Sequence, residues 1–296
     1  MRLTNFDMDA LRSFVTGIEC GTFADAAGQL GRSTSAVSAQ LRKLEDQAGT
    51  TLLRKSGRLL QPTEAGEILL AYARRILALN DEASLALRGT RMEGWLRLGL
   101  QEDFAEAVLT DVLGRFARAH PRVRLEARIA RSSELIERIR DGRLDLALAW
   151  DDGGSYPRAE RLTKVPLHWI GSASVDLEHN AKSGEIPLVS LEAPCILRSL
   201  ACEALDRAGI RWRMSFVTPS LGGLWAATAA GLGLALRTPI GRPSSTRILV
   251  PTEHGLPDLP KLDLLLHHTR QSETPAGVHL ASLLGAVVRA ACPPRD

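Results

Sequence analysis

The chain has 296 residues, of which 45% are hydrophobic and 24% charged, and its formal net charge is +3. This length suits two or three domains, and the composition is typical of a folded globular protein rather than a disordered one. No apolar run reaches the roughly 18 residues that a transmembrane helix requires, and the polar N-terminus lacks a signal-peptide core. We therefore expect a cytoplasmic protein. The four cysteines form no Cys-x-x-Cys pair and are too sparse for a disulfide framework.

The first 50 residues predict three short helices. Apolar residues at helical spacing indicate a first helix from Phe6 to Ile18 and a second from Phe23 to Leu30. Gly31 supplies a turn, and Ser33 is a suitable N-cap for a third helix from Thr34 to about Ala48. Two helices joined by a short turn that contains glycine are typical of a helix-turn-helix, whose second helix lies in the major groove of DNA.

One face of the third predicted helix is small, polar and basic. Residues 31–62 carry six basic and two acidic residues, a local net charge of +4, which favours contact with DNA phosphates. An ordinary solvated face and a purely capping role for Ser33 are the alternatives. The residues of this segment that we expect to contact DNA are Ser33, Thr34, Ser35, Ser38 and Arg42.

A basic hairpin and a long helix follow. Residues 52–60 predict two short strands around a turn, a wing whose basic side chains are expected on the DNA backbone or in the minor groove: Arg54, Lys55 and Arg58. Thr63 then precedes a long helix and is predicted as its cap, a phosphate contact, or both. The apolar positions of this helix step by three and four residues, as in the seam of a coiled coil, so a second copy of the chain is expected to cover them.

From Trp95 onward, strands alternate with helices, which predicts a layered α/β domain. Strands are expected at Leu96–Leu100, Val123–Ile129, Leu144–Trp150, Val165–Gly171, Cys195–Leu197, Met214–Val217, Gly233–Arg237 and Leu262–His267. The intervening helices are expected at Asp103–Ala119, Ser132–Arg140, Ala201–Ala208 and Leu221–Ala230. The histidines are scattered, and the sequence has no Gly-x-Ser-x-Gly nucleophile elbow. We therefore expect no enzyme, no cofactor and no metal site.

In this order the motifs resemble those of the LysR-type transcriptional regulators along essentially the whole chain. The resemblance rests on Gly21-Thr22-Phe23, Ala26-Ala27, Ser35-Ala36-Val37-Ser38, Gly57-Arg58 and Thr63-Glu64-Ala65-Gly66. A further block at 72–83 is similar to a subgroup that includes repressors of motility and exoenzyme genes. Leu53 and Pro62 depart from the family pattern, which usually has Phe and an aliphatic residue at these positions.

The resemblance implies a winged helix-turn-helix over residues 1–65, a dimerising linker helix over 66–90, and a two-lobed α/β domain over 91–296. This last domain is expected to resemble a periplasmic binding protein, with lobe I at 91–163 and 268–296 and lobe II at 164–267. The resemblance also implies a homodimer or homotetramer on double-stranded DNA. A small-molecule effector is expected between the two lobes.

By the same resemblance, effector contacts are expected at strand ends that face the cleft, which agrees with the general rule for open α/β sheets. The candidates are Gln101, Glu102, Asp103, Trp150, Asp151, Cys195, Arg198, Ser199, Thr218, Ser220 and Leu221.

Three alternatives stay open for this domain. The carboxylates of Glu102 and Asp103 favour a polar or cationic effector, unless both only cap the following helix and complement its dipole. Cys195 suggests a redox sensor instead, with Arg198 favouring the thiolate and Cys202 as the resolving thiol. The third alternative is a regulator that has no ligand.

Overall fold

The computed structural model describes residues 5–56, 59–89, 94–175 and 184–292, and the chain divides into two compact units, Met1–Arg88 and Gly89–Asp296. Within the described ranges, no helix combines the length and the apolar character needed to cross a membrane.

The N-terminal unit begins with three helices, α1 (Met8–Cys20), α2 (Phe23–Leu30) and α3 (Thr34–Ala48). Helix α1 begins two residues later than expected because the carboxylate of Asp7 accepts a hydrogen bond from the Ala10 amide and so caps it. Gly31, between α2 and α3, has a φ of 60°, a left-handed conformation that glycine adopts at little cost. The predicted order of helix, turn and helix is thus present.

A two-stranded wing and a long helix complete this unit. The antiparallel strands are β1 (Leu53–Ser56) and β2 (Leu59–Pro62), and helix α4 spans Glu64–Gly89. The Thr63 hydroxyl caps α4, because it accepts a hydrogen bond from the Gly66 amide at 3.1 Å and donates one to the Thr51 carbonyl at 2.8 Å.

Helix α4 has two apolar faces. One face carries Leu69, Ala73 and Leu77, which are buried against the core of the N-terminal unit. The other face is exposed and carries Ile68, Tyr72, Leu79 and Leu87, of which Leu87 is 80% exposed. These four residues are the exposed linker face. The sequence assigns one seam to this helix, at Ile68 or Leu69, Tyr72, Ile76, Leu79, Ala83 and Leu87. This seam is divided in the structure, because Leu69 is buried.

The C-terminal unit alternates strands and helices in two lobes. Its first elements are β3 (Gly94–Gln101), α5 (Glu102–Ala119), β4 (Val123–Ala130), α6 (Ser132–Arg140), β5 (Leu146–Trp150) and β6 (Ala159–Pro166). The central elements are β7 (His168–Ser172), β8 (Ile186–Leu191), α7 (Ile196–Arg207), β9 (Trp212–Thr218), α8 (Leu221–Ala229), β10 (Ala235–Arg237) and β11 (Thr246–Ile248). The last are α9 (Pro251–His254), β12 (Lys261–His268) and α10 (Pro275–Ala291).

Each lobe contains a five-stranded sheet of the same plan. In lobe I the order is β4-β3-β5-β12-β6, with the first three strands parallel and the last two antiparallel to their neighbours. In lobe II the strands pair as β8-β9 and as β10-β7-β11. The Leu234 backbone joins them, because its amide bonds the Pro187 carbonyl and its carbonyl accepts from the Val189 amide. The resulting order is β9-β8-β10-β7-β11.

Strand pairing corrects the expected lobe boundaries. The expected boundaries at 164 and 268 assign most of β12 to lobe II, but β12 pairs along its length with β5 and β6 of lobe I. The apolar run Val165–Gly171 is not one strand, because the chain passes from lobe I to lobe II between β6 and β7. Cys195–Leu197 is the start of helix α7 rather than a strand, and the adjacent strand is β8.

Gly66 at the start of α4 packs tightly against the backbone of Leu52, the residue before β1. A Cβ added at Gly66 would lie 2.1 Å from the carbonyl oxygen of Leu52, which already accepts a hydrogen bond from the Thr63 amide. We expect Gly66→Ala to lower the free energy of unfolding of this unit by about 1–3 kcal/mol, because the backbone must move to make room.

The matched control is Gly28→Ala on α2, where nothing lies within 4 Å of an added Cβ. There the same substitution should stabilise the helix by about 0.5–1 kcal/mol. Urea unfolding followed by circular dichroism measures both effects, and equal responses of the two variants would contradict the packing argument.

Candidate DNA-binding surface and ligand cleft

The outward face of α3 carries most of the residues expected to contact DNA. Thr34, Ser35 and Arg42 are exposed, and Ser38 is half-buried. The Ser33 hydroxyl accepts a hydrogen bond from the Ala36 amide at 3.2 Å and lies 3.0 Å from the Ser35 hydroxyl, so it caps the helix. Both proposed roles of Ser33 are compatible with this position, because the residue is also exposed.

The basic residues around α3 differ in their ion pairs. Lys43 lies 2.7 Å from Asp7, and this hydrogen bond holds the pKa of the Asp7 carboxyl below its ordinary value. Arg32 lies 3.0 Å from Asp9. Arg42 has no ion-pair partner among the described residues, so its guanidinium remains available for a DNA phosphate or base.

The structure describes the wing residues in part. Arg54 is exposed on β1, and Lys55 lies on the same strand, although its side chain is not among the described ones. Arg58 lies outside the described residues. Thr63 has its hydroxyl engaged as donor and acceptor within the unit, which favours the capping role over a phosphate contact.

A cavity of about 580 Å³ lies between the two lobes of the C-terminal unit. Six of the expected effector residues line it: Gln101, Glu102, Trp150, Cys195, Arg198 and Ser199. Asp103 lies behind the lining, and Asp151, Thr218, Ser220 and Leu221 are not part of it. The lining also contains polar residues that the sequence reasoning missed: Arg131, Ser132, Ser133, Asp152 and Arg237.

Asp103 and Arg237 form a buried ion pair that joins the lobes. The Asp103 Oδ2 and Arg237 Nη1 atoms are 3.2 Å apart, and the side chains are 0% and 2% exposed. Gln101 caps α5 by accepting a hydrogen bond from the Asp103 amide, and its own amide group donates to the Asp103 carboxylate. The capping alternative thus belongs to Gln101, and the Asp103 charge is already neutralised. A cationic effector that depends on this carboxylate does not fit the geometry.

Glu102 is the other carboxyl group of this segment and faces the cleft. It is half-buried, and its Oε2 atom has no hydrogen-bond partner among the described residues. Burial raises the pKa of Glu102, although the nearby Arg237 and Arg131 act in the opposite direction. The raised pKa increases the fraction of Glu102 that carries a proton, and in that form the side chain is a hydrogen-bond donor.

The remaining polar groups of the cleft are mainly donors. Trp150 and Arg237 are each 1% exposed, and the Trp150 Nε1 and Arg237 Nε atoms have no partner among the described residues. The N-cap residues of α6 and α7 are Arg131 and Cys195, neither of which makes a side-chain capping hydrogen bond, and both line the cavity. Arg131 pairs with Glu192, whereas Arg198 has no ion-pair partner in the described part of the chain.

The structure does not favour disulfide exchange between Cys195 and Cys202, the two cysteines of the proposed redox sensor. All four are free, and Cys195 stands half-buried at the start of α7. Burial raises the pKa of the Cys202 thiol and outweighs the opposite effect of Arg198. A protonated Cys202 is a poor nucleophile, which weakens its proposed role as a resolving thiol.

Comparison with known proteins agrees with this architecture. Residues 8–67 match the family model described as "Bacterial regulatory helix-turn-helix protein, lysR family", and residues 89–284 match the "LysR substrate binding domain". The chain belongs to the LysR family of transcriptional regulators. It is 36% identical to the HTH-type transcriptional regulator PecT of Dickeya dadantii (strain 3937), over 86% of this chain and 79% of PecT. It is 32% identical to the regulator DgdR of Burkholderia cepacia, over 98% of this chain and 95% of DgdR.

Solved LysR structures share the fold at lower identity. CrgA from Neisseria meningitidis aligns with a TM-score of 0.58 and 21% identity, covering 96% of this chain and 99% of CrgA. DarR from Vibrio fischeri, solved in complex with DNA, aligns with a TM-score of 0.53 and 17% identity over the same shares of the two chains. The predicted class, a winged helix-turn-helix followed by a ligand-binding α/β domain, is confirmed.

Arg42 provides a test of the α3 surface. Base contacts in a helix-turn-helix come from the N-terminal part of the second helix, and Arg42 lies eight residues, or roughly 12 Å, beyond Thr34. We therefore expect Arg42→Ala to weaken binding to specific and scrambled duplexes by similar factors. The slope of log affinity against log salt should also fall by about 0.9 in magnitude, the loss of one phosphate contact.

Fluorescence anisotropy of the full chain, with the DNA upstream of its own gene across a salt series, measures both quantities. Arg75→Ala on α4 is the control, since Arg75 is exposed and has no ion-pair partner among the described residues. A loss confined to the specific duplex would assign Arg42 to a base and contradict the phosphate contact.

The interlobe ion pair provides a second test. Asp103→Asn leaves the Arg237 guanidinium buried without its counter-charge, and removal of one partner of a buried pair typically costs about 3–5 kcal/mol. We expect a large drop in the midpoint of thermal unfolding of the C-terminal unit, measured by calorimetry. The double variant Asp103→Leu with Arg237→Met should recover much of the loss, and a double variant no more stable than Asp103→Asn would contradict the argument.

Proposed function

We propose that this LysR-family chain binds double-stranded DNA through α3 and the wing as a homo-oligomer, and that a small anionic metabolite in the interlobe cleft modulates the binding. The family membership supports DNA binding and regulation. The observation that carries the ligand class is Arg198, a cation on the cleft lining that has no ion-pair partner among the described residues.

Cationic donors on the cleft lining favour a ligand that supplies acceptors. A hydrogen bond from a charged donor to a carboxylate or phosphate oxygen typically contributes about 1.5–3 kcal/mol. The uncapped N-termini of α6 and α7 add backbone amides and a favourable dipole for negative charge. Arg198, with no ion-pair partner among the described residues, supplies a fixed positive charge on the same lining.

Glu102 is compatible with such a ligand. Its pKa is raised by burial, and a second carboxylate nearby raises it further, because two like charges in one site disfavour each other. In its protonated form Glu102 is able to donate a hydrogen bond to the ligand. Asp152 is the other carboxylate on the lining. Burial acts to raise its pKa, but hydrogen bonds from the Tyr156 hydroxyl and from backbone amides outweigh this effect and lower the pKa.

The exposed linker face supports self-association. Among the described side chains of α4, four large apolar residues are exposed in the single chain, at successive spacings of four, seven and eight residues: Ile68, Tyr72, Leu79 and Leu87. A second α4 helix packed along this face would bury them as in a coiled coil. We propose a homodimer, or a homotetramer built from it.

Several further expectations belong to this proposal. The chain acts as a cytoplasmic regulator without catalytic activity, and its sequence is similar to a subgroup that includes repressors of motility and exoenzyme genes. Within the described residues, no group of three or more potential ligands is arranged for a metal ion.

Arg198 tests the ligand class. We expect small carboxylates, with succinate as the first probe, to raise the melting temperature of the full chain, and methylamine to leave it unchanged. Arg198→Ala should weaken succinate binding roughly tenfold or more, because a hydrogen bond to a charged group contributes about 1.5–3 kcal/mol.

The control is Arg207→Ala at the other end of α7, where the arginine is exposed and lies outside the cleft lining. Isothermal titration calorimetry gives the affinities. Stabilisation by methylamine but not by carboxylates, or equal effects of the two arginine variants, would refute the anionic ligand.

A further inference from the structure

A second cavity, of about 380 Å³, lies within lobe I. Its walls are the C-terminal end of α6, the loop before β6, and the end of β12 with the residues that follow it. We refer to this cavity as the side pocket. None of its lining residues lines the interlobe cleft. The side pocket is therefore a separate feature of the lobe, and the effector proposal does not account for it.

The side pocket exists because the helical layer on this face of the lobe I sheet is incomplete. Helix α6 packs mainly on β5 and β3 and reaches β12 only weakly. The ring of Tyr156, from the loop before β6, covers part of the remaining face and meets the His267 ring edge-on at 4.8 Å. The space beside these two rings is left unfilled, with Ile139 and Pro157 as its apolar walls.

His267 is a buried polar group without a partner at the base of this cavity. The residue is 2% exposed, and its Nε2 atom has no hydrogen-bond partner among the described residues. Burial lowers the pKa of His267, with the nearby Asp152 and Asp151 acting in the opposite direction, so the ring is mainly neutral near pH 7. Because a neutral imidazole carries one N–H, Nε2 is able to donate to an anionic group.

Three arginines line the side pocket, and they differ in the groups that their guanidinium groups contact. Arg158 forms an ion pair with Glu273, and the Arg140 guanidinium lies 5.4 Å from the centre of the Tyr156 ring. Arg270 is exposed and has no ion-pair partner among the described residues. The side pocket thus combines an apolar wall, a buried nitrogen without a partner and an available positive charge.

We propose that the side pocket binds a small molecule that carries a carboxylate on a flat apolar body. The carboxylate lies between Arg270 and the imidazole ring of His267. The apolar body packs against Ile139, Pro157 and the Tyr156 ring. Charge and hydrogen bonding favour an anion over a neutral molecule. Inorganic phosphate is expected to bind more weakly, because it has no apolar surface to bury against the walls.

The experiment uses the full chain and three probes: phenylacetate, 2-phenylethanol and inorganic phosphate. Phenylacetate carries both features, the alcohol lacks the charge, and phosphate lacks the apolar body. We expect phenylacetate to bind in calorimetry and in ligand-observed NMR, and the other two to bind at least tenfold more weakly. The same preference should persist in Arg198→Ala, in which the cleft is impaired.

Variants locate the binding. Arg270→Ala should weaken phenylacetate binding tenfold or more, whereas Arg289→Ala, on α10 of the same lobe and also exposed, should leave it unchanged. Because Arg270 is exposed, its variant is expected to fold, and unchanged far-ultraviolet circular dichroism checks this. A crystal of the chain with 4-bromophenylacetate should place the bromine beside Ile139.

Three results would overturn the side-pocket proposal. They are no phenylacetate binding to any form of the chain, binding that Arg198→Ala abolishes and Arg270→Ala leaves intact, or equal affinity for phosphate or 2-phenylethanol. None of these results decides whether the cleft binds succinate, so the two proposals fail or stand separately.

Discussion

The buried ion pair between Asp103 and Arg237 determines what the C-terminal unit is able to bind. Burying two charges is costly, and the attraction between them repays that cost only with good geometry and additional hydrogen bonds. Gln101 supplies both additional bonds, to the amide and to the carboxylate of Asp103. The pair therefore removes one negative charge from the cleft. Since Asp103 belongs to lobe I and Arg237 to lobe II, it also ties the two lobes across the cavity.

Because Arg237 neutralises the Asp103 carboxylate, the cleft favours an anionic ligand and not the cation that the sequence suggested. On sequence, Glu102 and Asp103 form an acidic pair that favours a cation. In the folded chain Asp103 is compensated, burial raises the pKa of Glu102, and Arg198 has no counter-ion among the described residues. The same principle operates in the N-terminal unit, where Lys43 is paired with a carboxylate and Arg42 is not. In both units the cation without an ion-pair partner is the one available to a ligand, and the amino-acid composition does not show which cation that is.

Local signals made the N-terminal unit predictable. Helix ends there are marked by capping side chains and by glycines such as Gly31, so the predicted and observed bounds of α2 and α3 agree closely. The C-terminal unit depends on pairing between distant segments. The assignment of β12 to lobe I follows from its register with β5 and β6, and no residue within β12 encodes that choice. For this reason the lobe boundary was misplaced although the strand itself was predicted.

Some missed residues did leave a signal in the sequence. Arg237 ends an otherwise apolar run, and a charged residue within a buried strand requires a counter-charge or a polar site. Arg131 to Ser133 follow the second strand of lobe I, and the rule that ligands bind at the carboxyl ends of parallel strands applies there as well. The side pocket left no such signal, because it depends on how far α6 extends across a sheet whose order is non-local.

One hydrogen bond connects the interlobe cleft with the side pocket. Asp152 lines the cleft, and its carboxylate accepts a hydrogen bond of 2.6 Å from the hydroxyl of Tyr156, whose ring forms a wall of the side pocket. A ligand in the side pocket that moves the Tyr156 ring changes the length of this hydrogen bond. A ligand in the cleft that attracts or repels the Asp152 carboxylate changes the same hydrogen bond. Any such coupling is reciprocal, since each ligand changes the affinity of the other by the same factor. The loop between β5 and β6 carries both residues, and is therefore the element through which a ligand in one cavity would change the affinity of the other.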